Sequence, residues 1–296
     1  MASRKDQKEQ ARAQRVAREQ QLKQSAERKR RLQILGGLVA AAVVVVVVLV
    51  IVSGGGTTKT NSNPETSANR AAQQRVEQLL AGVNQQPGTD IKMGDEQAKV
   101  NITLFGDLEC SVCDELDLDS GVTSPGGYQG TGYVSGIIND YVKTGKASLT
   151  YRSMETATSG NPNPEVWTPQ QAAANAAALQ GKGWNYVQLF YNEQGAERSD
   201  YVNDAFLEGI AKQITGLNYS RWYHDWKHNS QTTAKVASDN ALGIKVAVEA
   251  ETEQGVPASQ QGASTPTLLI TGPKGSRTLL GLASPAVVGK AIAAVS

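Results

Sequence analysis

Apolar and polar positions along this chain fall into three regimes. Residues 34–52 carry no charge and include six consecutive valines at 43–48. Nineteen residues at helical rise cover roughly 28 Å, about the depth of a hydrocarbon core, so this stretch predicts a transmembrane helix. Residues 53–68 are dominated by Gly, Thr, Asn and Ser, which reads as a flexible tether. Residues 69–83 predict a short helix ahead of the folded body.

From about residue 90 the pattern changes to alternating strand-like and helix-like segments. Residues 100–105 (VNITLF) alternate and are rich in β-branched side chains, predicting a central strand. Gly106-Asp107-Leu108-Glu109 breaks it, and a helix is expected from Cys110 through Leu118. Residues 121–132 hold five glycines and Pro125, hence a loop. Residues 133–144 predict an amphipathic helix stopped by Gly145, and 147–152 a second strand. A helical block follows at 169–180, 184–192, 201–213, 219–228 and 232–252. Strands return at 267–271 and 278–282. A last helix is expected at 284–294, with Ser284 as N-cap and Pro285 in the first turn.

Charge adds an orientation. The 29 basic and 28 acidic side chains nearly cancel, yet residues 1–31 contain 11 basic and 4 acidic groups, leaving 18 and 24 in the remainder. The basic excess, ending in Arg28-Lys29-Arg30-Arg31, abuts the apolar stretch and is expected to stay cytoplasmic, so that everything after Val52 is exported. A cleaved signal peptide is the rival reading. It fits less well, because the charged region is long and no A-x-A site follows. A body with net negative charge argues against nucleic-acid binding. Two cysteines exclude a disulfide-dense scaffold and a four-thiolate metal site.

Those two cysteines form Cys110-Ser111-Val112-Cys113, where a strand gives way to a helix. Free amides and partial positive charge at a helix start favour a thiolate, the species thiol–disulfide exchange requires. Cys110 is expected to be the exposed, attacked sulfur and Cys113 the more buried, resolving one. A static disulfide is the bland alternative, although so short a loop removes little chain entropy. A zinc site pairing the cysteines with His224 and His228 is disfavoured by the spacing of over a hundred residues. Ser264-Thr265-Pro266-Thr267 precedes a strand. A cis Thr265-Pro266 bond facing the cysteines leaves backbone groups free to pair with a substrate strand. Asp107 and Glu109 are candidate proton carriers, with surface solvation the favoured reading for Glu109. Asp114, Glu115 and Asp117 are explained by the dipole of the active-site helix.

With these residues in order, the chain resembles the DsbA-like thioredoxin-fold proteins. The resemblance runs from about residue 90 to 296. It is carried by Phe105 to Cys113, by the Ala-rich run from Gln171 to Trp184, by Leu189 to Gly195, and by Thr265-Pro266-Thr267 with Gly272 to Gly275. It implies an α/β thioredoxin-like fold with a helical insertion at about 165–253. It further implies Cys110 and Cys113 as catalytic thiols and Thr265 and Pro266 as substrate-binding residues. No metal or organic cofactor is implied. The implied partners are cysteine-containing exported proteins and a membrane redox partner that returns the pair to its working state. Ser111-Val112 departs from the Pro-His or Pro-Phe of the family's oxidases, where the His helps hold the thiolate. The expected organisation is a basic arm (1–33), an anchor (34–52), a linker with a short helix (53–89) and the redox domain (90–296). The expected function is disulfide formation outside the cytoplasm. Reductase or isomerase activity, and an idle thioredoxin fold that binds an envelope partner, are the alternatives.

Overall fold

A computed structural model describes residues 67–296. The basic arm, the expected anchor at 34–52 and the start of the tether lie outside the described residues. Among the described residues, no helix is long and apolar enough to cross a membrane.

Helix α1 spans Ser67–Leu80 and buries Ala72, Val76, Leu79 and Leu80, a stripe at helical spacing. Five strands then form one sheet: β1 (Ile91–Met93), β2 (Val100–Gly106), β3 (Ala147–Ser153), β4 (Thr267–Gly272) and β5 (Gly275–Leu280), in the order β1-β3-β2-β4-β5. β2 and β3 are parallel, and every other pairing is antiparallel. β2 is central, as its apolar alternation predicts. Val100, Ile102 and Leu104 lie in register with Ala147, Leu149 and Tyr151 on one buried face. Phe105 points the other way and packs with Met154, Val246 and Ala247.

β1 was not expected, being three residues long and antiparallel to β3. β5 begins three residues before the expected 278. Gly275-Ser276-Arg277 is exposed on the sheet edge and so carries no apolar pattern. The turn before it is closed by Gly272 opposite Gly275, whose φ of 118° suits glycine.

Helix α2 (Ser111–Asp117) follows β2, and α3 (Tyr133–Ile137) continues into a wider π turn at Ile138–Val142. Between β3 and β4 lie α4 (Trp167–Ala178), α5 (Gly183–Asn192), α6 (Asp204–Gln213), α7 (Tyr219–His228) and α8 (Ser230–Glu253). α4 is buried all round, with Ala172–174 and Ala176–178 at 2 % exposure or less. Small side chains let α5, α7 and α8 approach it closely, which is why the Ala run sits here. α8 lies over the Phe105 face of the sheet. A Cβ on Gly243 would stand 2.8 Å from Met154 Sδ and 2.9 Å from Phe105 Cδ1, so glycine permits that approach. Farther along the same face Arg152 pairs with the buried Asp239, which also takes Lys235. α9 (Pro285–Val295) closes the fold, capped by the Ser284 hydroxyl.

Candidate active site

The site grows out of the end of β2. A Cβ on Gly106 would stand 2.8 Å from the Tyr151 ring and 3.1 Å from Tyr191 Oη. Both phenols use that closeness: Tyr151 donates to the Gly106 carbonyl and Tyr191 to the Asp107 carbonyl. The strand end is thereby tied to the helical insertion, since Tyr191 belongs to α5.

Cys110 is the N-cap of α2 rather than its first residue, with extended backbone. Its sulfur accepts from the Cys113 amide at 3.4 Å, and its thiol lies 3.7 Å from the Thr265 carbonyl. The Thr265–Pro266 bond is cis, as expected. The two thiols are free. Cys110 is less open than expected, at 6 % exposure against 2 % for Cys113, while Val112 is the open residue of the motif at 37 %. The Cys110 carbonyl is drawn into the helix and its side chain turns inward to the amide of Cys113, which accounts for the difference.

The two sulfurs are electrostatically unequal. A hydrogen bond from the Cys113 thiol holds the Cys110 pKa below the ordinary thiol range. The Thr265 hydroxyl and the Cys113 amide add to this against the cost of burial. Burial pushes the Cys113 thiol well up, and the hydrogen bond to Cys110 adds to it.

Asp107 is fully buried and accepts four hydrogen bonds: from the Glu109 amide, the Thr156 amide, and the amide and hydroxyl of Thr158. Burial raises its pKa while those donors pull it back. The loop it organises presents the Thr156 hydroxyl to the Thr265 hydroxyl at 2.5 Å. A carboxylate at the strand end therefore holds the proline loop through one intermediate segment.

Glu109 corrects the solvation reading. It is 1 % exposed, and its oxygens accept from Asn161 at 2.7 Å and Gln170 at 3.3 Å. Burial first, then the Asp107 charge, push its pKa up to about 7. The dipole reading of the acids in α2 also fails in part. Asp117 is the last residue of the helix, buried, and bonded to Gln188. Burial pushes its pKa well up. Asp114 does lie in the first turn, but it is fully buried and pushed up to about 8, chiefly by burial.

Sequence reasoning missed Glu197, which accepts the Ser111 amide, and Tyr128, whose hydroxyl accepts the Glu197 amide. Tyr128 belongs to the Gly-rich loop, which is thus pinned against the segment after α5. Nothing in the local pattern at 195–198 signals either contact. His224 and His228 lie on α7 with ring centroids 5.4 Å apart. Among the described residues, no three His, Cys, Asp or Glu side chains converge as a metal cluster would.

Comparison with known proteins follows the same lines. No curated protein matches the chain. Solved structures that resemble it include BdbD from Bacillus subtilis, at 15 % identity and TM-score 0.48, covering 71 % of this chain and 96 % of that one. A thioredoxin-like oxidoreductase from Silicibacter pomeroyi DSS-3 has 18 % identity and TM-score 0.46, covering 69 % and 91 %. DsbA from Chlamydia trachomatis has 18 % identity and TM-score 0.45, covering 68 % and 89 %. A thioredoxin family model matches residues 86–279. With its central β2, its Cys-x-x-Cys at a helix start and its proline loop opposite, the chain belongs to the thioredoxin family.

Proposed function

We propose that this chain is a DsbA-type thiol–disulfide oxidoreductase that forms disulfides in exported proteins, held at the membrane by residues 34–52 with residues 1–33 in the cytoplasm. The observation that carries the reading is the placement of the two sulfurs: Cys110 caps α2 beside the Thr265 carbonyl of the cis Thr265–Pro266 loop, one turn ahead of the buried Cys113. Cys110 is stabilised as a thiolate and Cys113 as a thiol.

Starting from the Cys110–Cys113 disulfide, a substrate thiolate attacks Cys110 Sγ, forming a mixed disulfide and expelling Cys113 as a thiolate. Its high pKa makes Cys113 take up a proton, which Glu109, with a pKa of about 7, is suited to supply. The second substrate thiolate then attacks the substrate sulfur of the mixed disulfide. The substrate leaves oxidised, and Cys110 departs as its favoured thiolate. Two electrons pass to the protein, and a membrane redox partner removes them to restore the disulfide. Thr265 and Pro266 hold the substrate backbone beside Cys110, while Asp107 acts as a positioning residue through Thr156.

Equilibration of the full-length chain against glutathione redox buffers tests the direction. A potential at about −120 to −180 mV supports disulfide formation or isomerisation, and one at about −270 mV or lower refutes the oxidase reading in favour of a reductase. Protease protection in sealed membrane vesicles tests the anchor. The body after residue 52 is expected to be cut only from the extracytoplasmic side.

A further inference from the structure

The segment after α5 presses directly on the cysteine motif. Glu197 Oε2 accepts a hydrogen bond of 3.1 Å from the Ser111 backbone N–H. A proline at this position would have no N–H to give, so the contact requires a residue other than proline after Cys110, here Ser111. Backbone bonds fix the turn that carries the carboxylate. The Glu197 amide donates to Tyr128 Oη at 2.7 Å, and the Arg198 amide donates to Asn161 Oδ1 at 3.0 Å. Asn161 in turn donates to Glu109. Three residues before Glu197, the Gln194 carbonyl accepts from the Gly126 amide.

The backbone carries an independent sign of the same arrangement. Arg198 has φ 64°, and among the described residues it is the only non-glycine with positive φ. A residue with a Cβ keeps that conformation where its surroundings over-determine it. Here the turn aims Glu197 at Ser111 while the Arg198 amide reaches Asn161. The Arg198 guanidinium offers little neutralisation, being 74 % exposed and 3.9 Å from Glu197 Oε1.

We propose that Glu197 is a positioning residue of the redox site, whose carboxylate, bonded to the Ser111 amide, opposes thiolate formation at the adjoining Cys110 and so restrains the oxidising power of the pair. The Ser111 nitrogen is bonded to the Cys110 carbonyl carbon, so the carboxylate is held against the residue next in the chain to the sulfur. A like charge there disfavours the thiolate. The Cys110 thiolate is what stabilises the dithiol over the disulfide, so a destabilised thiolate makes the disulfide harder to reduce. Glu197 belongs to the helical insertion, and Tyr128, which steadies it, to the Gly-rich loop. Both additions to the sheet therefore act on the potential of the pair. The inference rests on the reading of Cys110 and Cys113 as a redox couple.

Two readouts on the reduced full-length chain separate it from that reading: the Cys110 thiol pKa, from ultraviolet thiolate absorbance against pH, and the glutathione equilibrium. Glu197→Gln keeps an acceptor oxygen for the Ser111 amide and removes only the charge. It is expected to lower the Cys110 pKa by about one unit. At a pH where Cys110 is ionised, it should shift the glutathione equilibrium about tenfold toward the reduced protein, equivalent to about 30 mV. On a Ser111→Pro background, where the amide is gone, the same change is expected to shift the equilibrium less than about threefold, or about 14 mV. An unchanged Cys110 pKa in a Glu197→Gln variant that melts like the parent overturns the proposal, as does an undiminished shift on the proline background. If Glu197→Gln does not fold, Ser111→Pro alone is expected to lower the Cys110 pKa by releasing the carboxylate, and no change there overturns it. A parent chain with no dithiol–disulfide equilibrium refutes the redox reading instead, while the pKa arm still decides the role of Glu197.

Discussion

Asp114 follows Cys113 directly, and replacing it with Asn is expected to stabilise the protein at neutral and alkaline pH but not in acid. Its carboxyl is fully buried. The Ser124 hydroxyl nearby compensates only in part, and burial lifts the pKa from 3.8 to about 8. The unfolded chain titrates near the ordinary value. Between the two, the unfolded chain has released the proton that the folded protein still holds, so stability falls as pH rises from about 4 to about 8. At about 1.4 kcal/mol per unit over about four units, the full effect is on the order of 5 kcal/mol. That is comparable to the whole stability of many domains, about 5–15 kcal/mol. Urea unfolding of the reduced parent and of Asp114→Asn, at about pH 5 and about pH 8, reads it as a double difference. With a slope of about 2 kcal/mol per molar urea, the midpoint gap between the two proteins should widen by roughly 2 M across that range. The comparison between pH values removes whatever fixed cost the Asn amide brings. A gap that stays constant with pH would show that Asp114 finds compensation on ionising, and the reasoning from burial would be wrong. Asp114 also helps push Asp117 up, so Asp114→Asn should bring the Asp117 titration downward in the same experiment.

Two further perturbations bear on the site. Glu109→Gln cannot carry a proton, so the parent's advantage over it in substrate oxidation should be present below about pH 7 and vanish as pH rises through Glu109's pKa of about 7; a parent-to-variant ratio that does not change with pH would exclude the relay. Gly106→Ala drives a methyl to 2.8 Å from the Tyr151 ring and 3.1 Å from Tyr191 Oη, and it is expected to cost about 1–3 kcal/mol by overpacking, read as a lower melting temperature, with an unchanged melt counting against the close approach.

The parts of this fold that could be read from the chain are those written in local periodicity. The alternation at 100–105 predicted β2, and the Ala-rich run predicted α4, because burial on a sheet or among helices imposes its pattern on neighbouring positions. β1 escaped because three residues cannot show a period, and the start of β5 escaped because an exposed edge needs no apolar face. The placement of Cys110 at a helix start, beside a cis Thr265–Pro266 bond, was legible because residue type and spacing mark both places. The burial of Glu109 was not legible, since the groups that accommodate it, Asn161 and Gln170, lie 52 and 61 positions away. Glu197 reaches Ser111 across 86 positions through an irregular turn, and neither end advertises the other.

The contact between Cys110 and the Thr265 carbonyl spans 155 positions, and this has a consequence for biosynthesis. A ribosome adding about 5–20 residues per second delivers the thiol pair roughly eight to thirty seconds before the loop that covers it. Asp107 waits for Thr156 and Thr158, and Ser111 for Glu197, before the site closes. During that interval the nascent chain carries its two thiols without the Thr265 hydroxyl and without the packing that buries Cys113, so their inequality is incomplete when they first meet oxidants or other thiols.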